Sequence, residues 1–249
     1  MRKVAAVLAC RVNSRRLYGK PLQLIDVKNN LSILEYLIGS LMEQRRIDAI
    51  VLAISEGAEN DPFRIMALRL RLPYVIGPSW DVQQRLIVAA ESVNAEVIFR
   101  VTTESPFIYL DTLEETLALH EERGADLTVI EQLPEGSYYE VFGLSQLKTA
   151  HELGEHRHRS ELCTLFMMEH PERFLIQRLS PPCAQLCRPD IRLTVDYPDD
   201  LVVVRQIHAA LRTSDRYIPV SEIIDYLDKH PRLKEVNGWI EAGVGRIWK

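Results

Sequence analysis

The sequence predicts an α/β fold with a doubly wound, mostly parallel sheet. Three observations lead there: short apolar runs alternate with longer amphipathic ones up to about residue 130, the runs have the lengths of strands and helices respectively, and 249 residues suit one such domain. Alternation of this kind implies parallel strands joined by right-handed crossovers. Ligands of such sheets sit beyond the carboxyl ends of the strands. That places residues 10–20, 55–61, 77–85 and 102–108 on one rim.

Taken in order, Lys3 to Ala9 reads as a strand buried on both faces. Ser32 to Gln44 is a helix, with apolar residues at 33, 34, 37, 38, 41 and 42. Ile47–Ser55 is a strand, Asp61–Arg71 a helix, and Tyr74–Ile76 a short strand. Trp80–Val93 is a helix, Val97–Val101 a strand, Leu110–Arg123 a helix and Asp126–Ile130 a strand. Residues 131–195 are less regular and form a candidate lid or dimer arm, centred on 131–180. Helices return at Pro198–Leu211 and Pro219–His230. Without a repeat, low-complexity stretch or linker, the reading is a single domain over 1–249.

Hydrophobic content of 47% and charged content of 26% are those of an ordinary globular chain. The formal net charge of -5 argues against a general nucleic-acid binder. It leaves room for a locally basic site that takes a small anion. No apolar run approaches the roughly 20 residues of a membrane span. The apolar stretch after Met1-Arg2-Lys3 leads straight into Arg11 without a cleavage site, so a cytoplasmic protein is expected rather than a secreted one. Cys183 and Cys187 lack a second Cys or His pair at zinc spacing, and with Cys10 and Cys163 they read as free, partly buried thiols.

The chemistry concentrates in Arg11-Val-Asn-Ser14-Arg15-Arg16-Leu-Tyr-Gly19-Lys20-Pro21-Leu22, directly after the first strand. Three arginines, a lysine, a serine and a glycine offer guanidinium forks, an ammonium and accessible backbone N–H groups. Triphosphate binding needs that set. The loop is neither a Walker A sequence nor a GxGxxG fingerprint. On composition alone it equally describes a solvated basic turn.

The loop resembles the signature of the cytidylyltransferases that activate acidic sugars such as Kdo and sialic acid, roughly A-R-x-x-S-x-R-L-P-G-K-x-L. Arg11, Ser14, Arg16, Leu17, Gly19, Lys20 and Leu22 match, while Cys10 stands for Ala and Tyr18 for Pro. Further stretches resemble the spore-coat polysaccharide, SpsF-like branch. Gly77-Pro-Ser-Trp-Asp81-Val82-Gln-Gln-Arg85 is similar to G-x-x-x-D-V-L-x-R, and Arg100-Val-Thr102-Thr-Glu104-Ser-Pro106 to R-x-T-G-D-C-P. Pro134-Glu-Gly136 with Glu140-Val-Phe142 is similar to P-x-G-x-x-x-E-V-F, and Arg192-Leu-Thr-Val-Asp196-Tyr-Pro-Asp-Asp200 to R-L-T-V-D-x-P-x-D.

The resemblance implies a Rossmann-like nucleotide-diphospho-sugar transferase fold and transfer of CMP from CTP to an acidic sugar, with Mg²⁺. It assigns Arg11, Arg16 and Lys20 to catalysis, and these with Ser14, Gly19, Gly77, Asp81, Arg85 and Thr102 to nucleotide binding. Glu140 and Glu161 fall to the acceptor, joined by Arg159 from the basic stretch before Glu161 rather than from the family pattern, and Glu104 and Asp196, the latter expected after a late strand, to the metal. Glu104 replaces the family's Asp, moving its carboxylate by roughly one bond length, about 1.5 Å. The bland alternatives are a helix N-terminal carboxylate at Glu104, a turn residue at Asp196, and an Asp81 cap beside an exposed Arg85. Where the family has a histidine in R-E-H-V-T, this chain has Leu162 between Glu161 and Cys163-Thr164. His156-Arg-His-Arg159 is either a substitute anion site or a solvated basic face.

A homodimer is also expected from the resemblance. The remaining rivals are a phosphonate or phosphosugar acceptor, a degenerate homologue that binds nucleotide without turnover, and an unrelated α/β sugar-binding or scaffold module.

Overall fold

The computed structural model of the chain describes residues 2–212 and 217–240. Residue 1, residues 213–216 and residues 241–249 of the expected domain therefore lie outside the described residues. The first strand, β1 (Val4–Cys10), is central and buried on both faces as expected. Its period-two alternation divides the core: Val4, Ala6, Leu8 and Cys10 join one apolar cluster, Ala5 and Val7 the other. A short hairpin of β2 (Leu24–Asp26) and β3 (Leu31–Ser32) follows, outside the main sheet and absent from the sequence reading.

Helix α1 (Ile33–Met42) starts where Ser32 caps it, with Glu35 N–H donating to Ser32 Oγ at 3.2 Å and Ser32 N–H donating to Glu35 Oε2 at 3.0 Å. This reciprocal pair satisfies two otherwise orphaned donors, a contribution of about 1 kcal/mol. Next come β4 (Ala49–Ser55), α2 (Asp61–Leu70), β5 (Tyr74–Gly77) and α3 (Val82–Ser92). They are followed by β6 (Val97–Arg100), α4 (Leu113–Glu122) and β7 (Leu127–Ile130). Within the stretch read as irregular lie β8 (Glu140–Gly143), α5 (Leu144–Leu153), α6 (Leu165–Glu169) and β9 (Ile176–Leu179). The described chain closes with α7 (Pro198–Leu211), α8 (Val220–Lys229) and α9 (Pro231–Glu235).

The seven-stranded sheet runs β5-β4-β1-β6-β8-β7-β9. All its neighbours are parallel except those of β8, which runs against both β6 and β7. One face carries α1, α7 and α8; the other carries α3, α5 and α6. The mostly parallel, doubly wound reading therefore holds, and the irregular region supplies two strands of the main sheet, β8 and β9. Among the described residues no helix is long and apolar enough to cross a membrane.

Candidate active site

A cavity of about 340 Å³ opens at the carboxyl ends of β1 and β6. Its lining includes Arg11, Ser14, Arg16 and Lys20 from the basic loop, and Thr102, Glu104, Glu140, Glu161 and Asp196 from elsewhere. The loop is drawn into a compact turn by Gly19 N–H donating to Val12 O at 2.9 Å, and it is tethered by Val12 N–H donating to Asn60 Oδ1 at 2.8 Å. Gly19 has φ +60°, and a Cβ there would meet nothing nearer than 3.9 Å. Its conformation, not its space, asks for glycine. Lys20 follows at the head of a short 3₁₀ turn and is buried, whereas Arg11 and Arg16 are half exposed.

Asp196 is the electrostatic centre of the loop side. Its Oδ1 accepts from Lys20 Nζ at 2.6 Å and Arg16 Nη2 at 2.5 Å, and its Oδ2 from Arg192 Nη2 at 2.5 Å. Burial alone would raise its pKa, but the hydrogen bond and charge of Lys20, with the charges of Arg16 and Arg192, outweigh it and hold Asp196 below the usual carboxylate value. Arg16 also lies over the Tyr197 ring, 5.3 Å from its centroid. Lys20 Nζ is 4.0 Å from Glu104 Oε1, so one ammonium bridges the two carboxylates.

No late strand carries Asp196, contrary to the expectation. The 191–196 segment is extended but pairs only through an isolated parallel bridge between Glu135 and Arg192. Side chains hold it instead. Arg192 donates through Nε to Asp200 Oδ1 at 2.9 Å and its Nη1 pairs with Glu135 at 2.6 Å. Asp200 accepts the N–H groups of Asp196 and Tyr197, both at 2.9 Å, at the start of α7. Asn237 Nδ2 completes the group by donating to Asp200 Oδ1 at 2.9 Å and to Arg192 O at 3.2 Å. The Glu104 turn is stitched to the same segment by Val195 N–H donating to Glu104 O at 3.1 Å and Ser105 Oγ donating to Thr194 Oγ1 at 3.0 Å. Thr102 Oγ1 lies 2.7 Å from Ser105 Oγ, so Thr102 buttresses this turn while lining the cavity. Gly136 packs against it too: at φ +90°, a Cβ would stand 2.4 Å from Thr194 N.

The β8 side is organised by Arg100. Its Nη1 donates to Glu140 Oε2 at 2.9 Å and its Nη2 to the carbonyl of Glu161 at 2.8 Å; Thr164 Oγ1 donates to Glu140 Oε1 at 2.5 Å. Burial opposes the Arg100 charge, yet Glu140 more than compensates and its pKa is raised. Both Glu140 oxygens are thus engaged within the protein. Glu161 points its carboxylate to Arg11, 3.2 Å away, joining the mouth of the cavity. Leu162 stands in the lining, leaving that part of the wall apolar.

The remaining expected site residues lie beneath or beside the cavity. Arg85 is 2% exposed and donates through Nη1 to Cys10 O at 3.3 Å and Ala53 O at 3.1 Å, under the ends of β1 and β4. It is not an exposed arginine, and burial lowers its pKa. Gly77 makes room for it: a Cβ there would come within 2.8 Å of Arg85 Cγ. Asp81 caps α3 through Gln84 N–H at 2.8 Å and accepts from His151 Nε2 at 2.8 Å, without lining the cavity.

Arg159 does not line the cavity either. It donates to His151 O at 3.3 Å and lies over Trp80, 6.0 Å from its ring centroid, while His156 stacks on the same ring at 5.5 Å. Arg157 grips Glu169 with two bonds of 2.6 and 2.7 Å, and with His158 it holds that carboxylate down to about 2. The basic stretch 156–159 is therefore largely consumed internally. All four cysteines are free; Cys10 and Cys163 are buried.

Sequence reasoning missed the anchoring roles of Arg192, Asp200, Glu135 and Asn237, and the Arg100–Glu140–Thr164 group. Arg192 and Asp200 were visible as the ends of the Arg192–Asp200 motif; Asn237 carried no signal. Among the described residues no three His, Cys, Asp or Glu side chains form a ready-made metal cage. Glu104 and Asp196 offer hard oxygen donors, with the Lys20 ammonium standing between them as a positive charge. The two carboxylates fit a divalent cation completed by phosphate oxygens once that ammonium has moved aside.

Comparison with known proteins agrees with this fold. The model of the cytidylyltransferase family matches residues 5–212. The spore coat polysaccharide biosynthesis protein SpsF of Bacillus subtilis is 26% identical over 234 residues, covering 93% of this chain and 96% of its own. A cytidylyltransferase structure from Leptospira borgpetersenii superposes with TM-score 0.84 at 20% identity, covering 94% of this chain and 97% of that one. The CMP:2-keto-3-deoxy-manno-octonic acid synthetase complexed with CTP superposes with TM-score 0.64 at 14% identity, covering 84% of this chain and 99% of the other.

Proposed function

The chain belongs to the cytidylyltransferase family, and from that premise we propose that it transfers CMP from CTP to a hydroxyl of an acidic sugar for surface glycan synthesis. The acceptor oxygen attacks the α-phosphorus, the bond from that phosphorus to the β-phosphate bridging oxygen breaks, and pyrophosphate leaves with the electron pair. The hydroxyl proton passes to solvent. Arg11, Ser14, Arg16 and Lys20 hold the triphosphate and neutralise charge on the leaving pyrophosphate. The observation that carries this reading is the meeting of the basic loop with Glu104 and Asp196 in one cavity.

Glu104 and Asp196 would hold Mg²⁺, whose charge masks the triphosphate and stabilises pyrophosphate. Arg85, seated by Gly77 and by the Asp81-capped helix, faces the cavity from below and serves the nucleoside end. Glu161 stays a candidate acceptor contact. Glu140 and Arg159 act at one remove, Glu140 through Arg100 and Arg159 through the Trp80–His151 packing. The proposed location of the reaction is the cytoplasm. Half-exposed Leu153 and Leu175, within the 131–180 region, are the proposed contacts of a homodimer.

The test is thermal shift with Mg²⁺ and each of CTP, UTP, GTP and ATP, followed by pyrophosphate release with a panel of Kdo- and nonulosonate-type sugars. Saturation at about 100 times Kd stabilises by roughly 2.7 kcal/mol, a shift of a few degrees. A shift selective for CTP and abolished in Arg16→Ala, with pyrophosphate released by an acidic sugar, is expected. No shift with any nucleotide overturns the reading.

A further inference from the structure

The two oxygens of Asp196 have different kinds of partner. Oδ2 is held by Arg192, a buried guanidinium that is also paired with Glu135 and Asp200 and so cannot leave without breaking a buried network. Oδ1 is shared by Lys20 and Arg16, both from the phosphate loop, and the Arg16 side chain is 44% exposed. The Lys20 ammonium also lies 4.0 Å from Glu104 Oε1. It therefore occupies the gap between the two carboxylates that a divalent cation would need, and like charges cannot share that gap.

We propose that Asp196 is an exchange point: in the free protein Lys20 and Arg16 block the metal site, and a bound triphosphate opens it by drawing both cations onto its own oxygens. The inference rests on the nucleotide site proposed above. Coupling of this kind is reciprocal. Without nucleotide, the protein does not take up the metal. Without metal, Asp196 competes with the triphosphate for Lys20 and Arg16, so removing that carboxylate strengthens metal-free binding of CTP. The second consequence runs against intuition, since it makes loss of a metal ligand improve nucleotide affinity.

Two titrations test this with no turnover involved. In the first, Mn²⁺ alone is followed by its electron paramagnetic resonance signal in the presence of wild type, Lys20→Met or Arg16→Gln protein. Lys20→Met is expected to bind one Mn²⁺ at least about tenfold more tightly than wild type, with Arg16→Gln between them. Equal affinity in wild type and Lys20→Met, whether tight or undetectable, overturns the proposal. In the second, CTP binding is measured calorimetrically in EDTA. Asp196→Asn, which keeps an oxygen for Arg192, is expected to bind about fivefold more tightly than wild type; equal or weaker binding overturns the proposal. Absence of CTP binding by both proteins, with or without Mg²⁺, would instead sink the nucleotide site itself.

Discussion

On the loop side of the cavity three cations, Lys20, Arg16 and Arg192, converge on the single carboxylate of Asp196; on the β8 side one cation, Arg100, is divided between the Glu140 carboxylate and the Glu161 carbonyl. In the first arrangement several cations share one carboxylate, one of them on an exposed side chain, and it suits a site whose charges change partners when a polyanion arrives. The second is balanced and buried on both oxygens of Glu140, and suits a wall that keeps its shape. The difference teaches that carboxylates lining one cavity need not share a role: Asp196 is poised to exchange, whereas Glu140 is a fixture.

Removing the fixture should produce the largest effect. Glu140→Ala leaves Arg100 buried without its carboxylate and Thr164 without its acceptor, and is expected to cost about 3–5 kcal/mol of stability, read as a fall in the urea midpoint. Glu140→Gln, which keeps hydrogen-bonding atoms, should lose less. If Glu140→Ala instead stays stable and loses only acceptor affinity, the two sides are not different in kind.

On the loop side the expected pattern is reversed. Lys20→Met should lower the rate of pyrophosphate release by about 10²–10³-fold, the loss typical of one preorganised charge, while lowering the urea midpoint less than Glu140→Ala does, because Asp196 keeps Arg16 and Arg192. A large loss of stability with little loss of rate would break the comparison from this end.

Acid separates the sides further. The folded-state pKa of Asp196 lies below its ordinary 3.8, so its contribution to stability is complete above about that pH and is lost as pH falls through the folded value. Urea midpoints of wild type should fall across that window, and Asp196→Asn should show a shallower fall. Parallel curves would show that Asp196 gains nothing from its three cations.

The smallest effect is expected where the two sides touch. Arg11–Glu161 is an exposed pair, with side chains 49% and 62% exposed, and such pairs contribute 1 kcal/mol or less. Glu161→Gln should change stability negligibly and the KM for CTP only a few-fold, in the direction of tighter binding as Arg11 is freed for phosphate.

The parts legible in the sequence were those written locally. The unbroken apolar run of Val4–Cys10 and the amphipathic spacing of α1 each follow from residues within one or two turns. The basic loop was legible because its cations lie within ten residues. What stayed hidden was encoded across distance. Four-residue strands such as β8 and β9 carry too few positions to show a period, and their pairing is set by neighbours in space. That Lys20 meets Asp196 across 176 positions, or that Asn237 steadies Asp200 from beyond α9, cannot be read from spacing. The Arg159 expectation failed to find the cavity for a similar reason, since the aromatic face of Trp80 holds that arginine elsewhere.

Gly136 sits so close to the backbone at Leu193 and Thr194 that even a methyl group would collide with it. The turn carrying Tyr138 and Tyr139 and the segment carrying Asp196 therefore behave as one rigid piece, though more than fifty residues separate them in the chain. Reshaping the cavity by lengthening that turn would drag the aspartate off its mark. Under the proposed reaction, a change of acceptor would fall to side chains set on a fixed frame, such as Leu162 and Tyr138 in the cavity lining, and the frame itself has nowhere to wander.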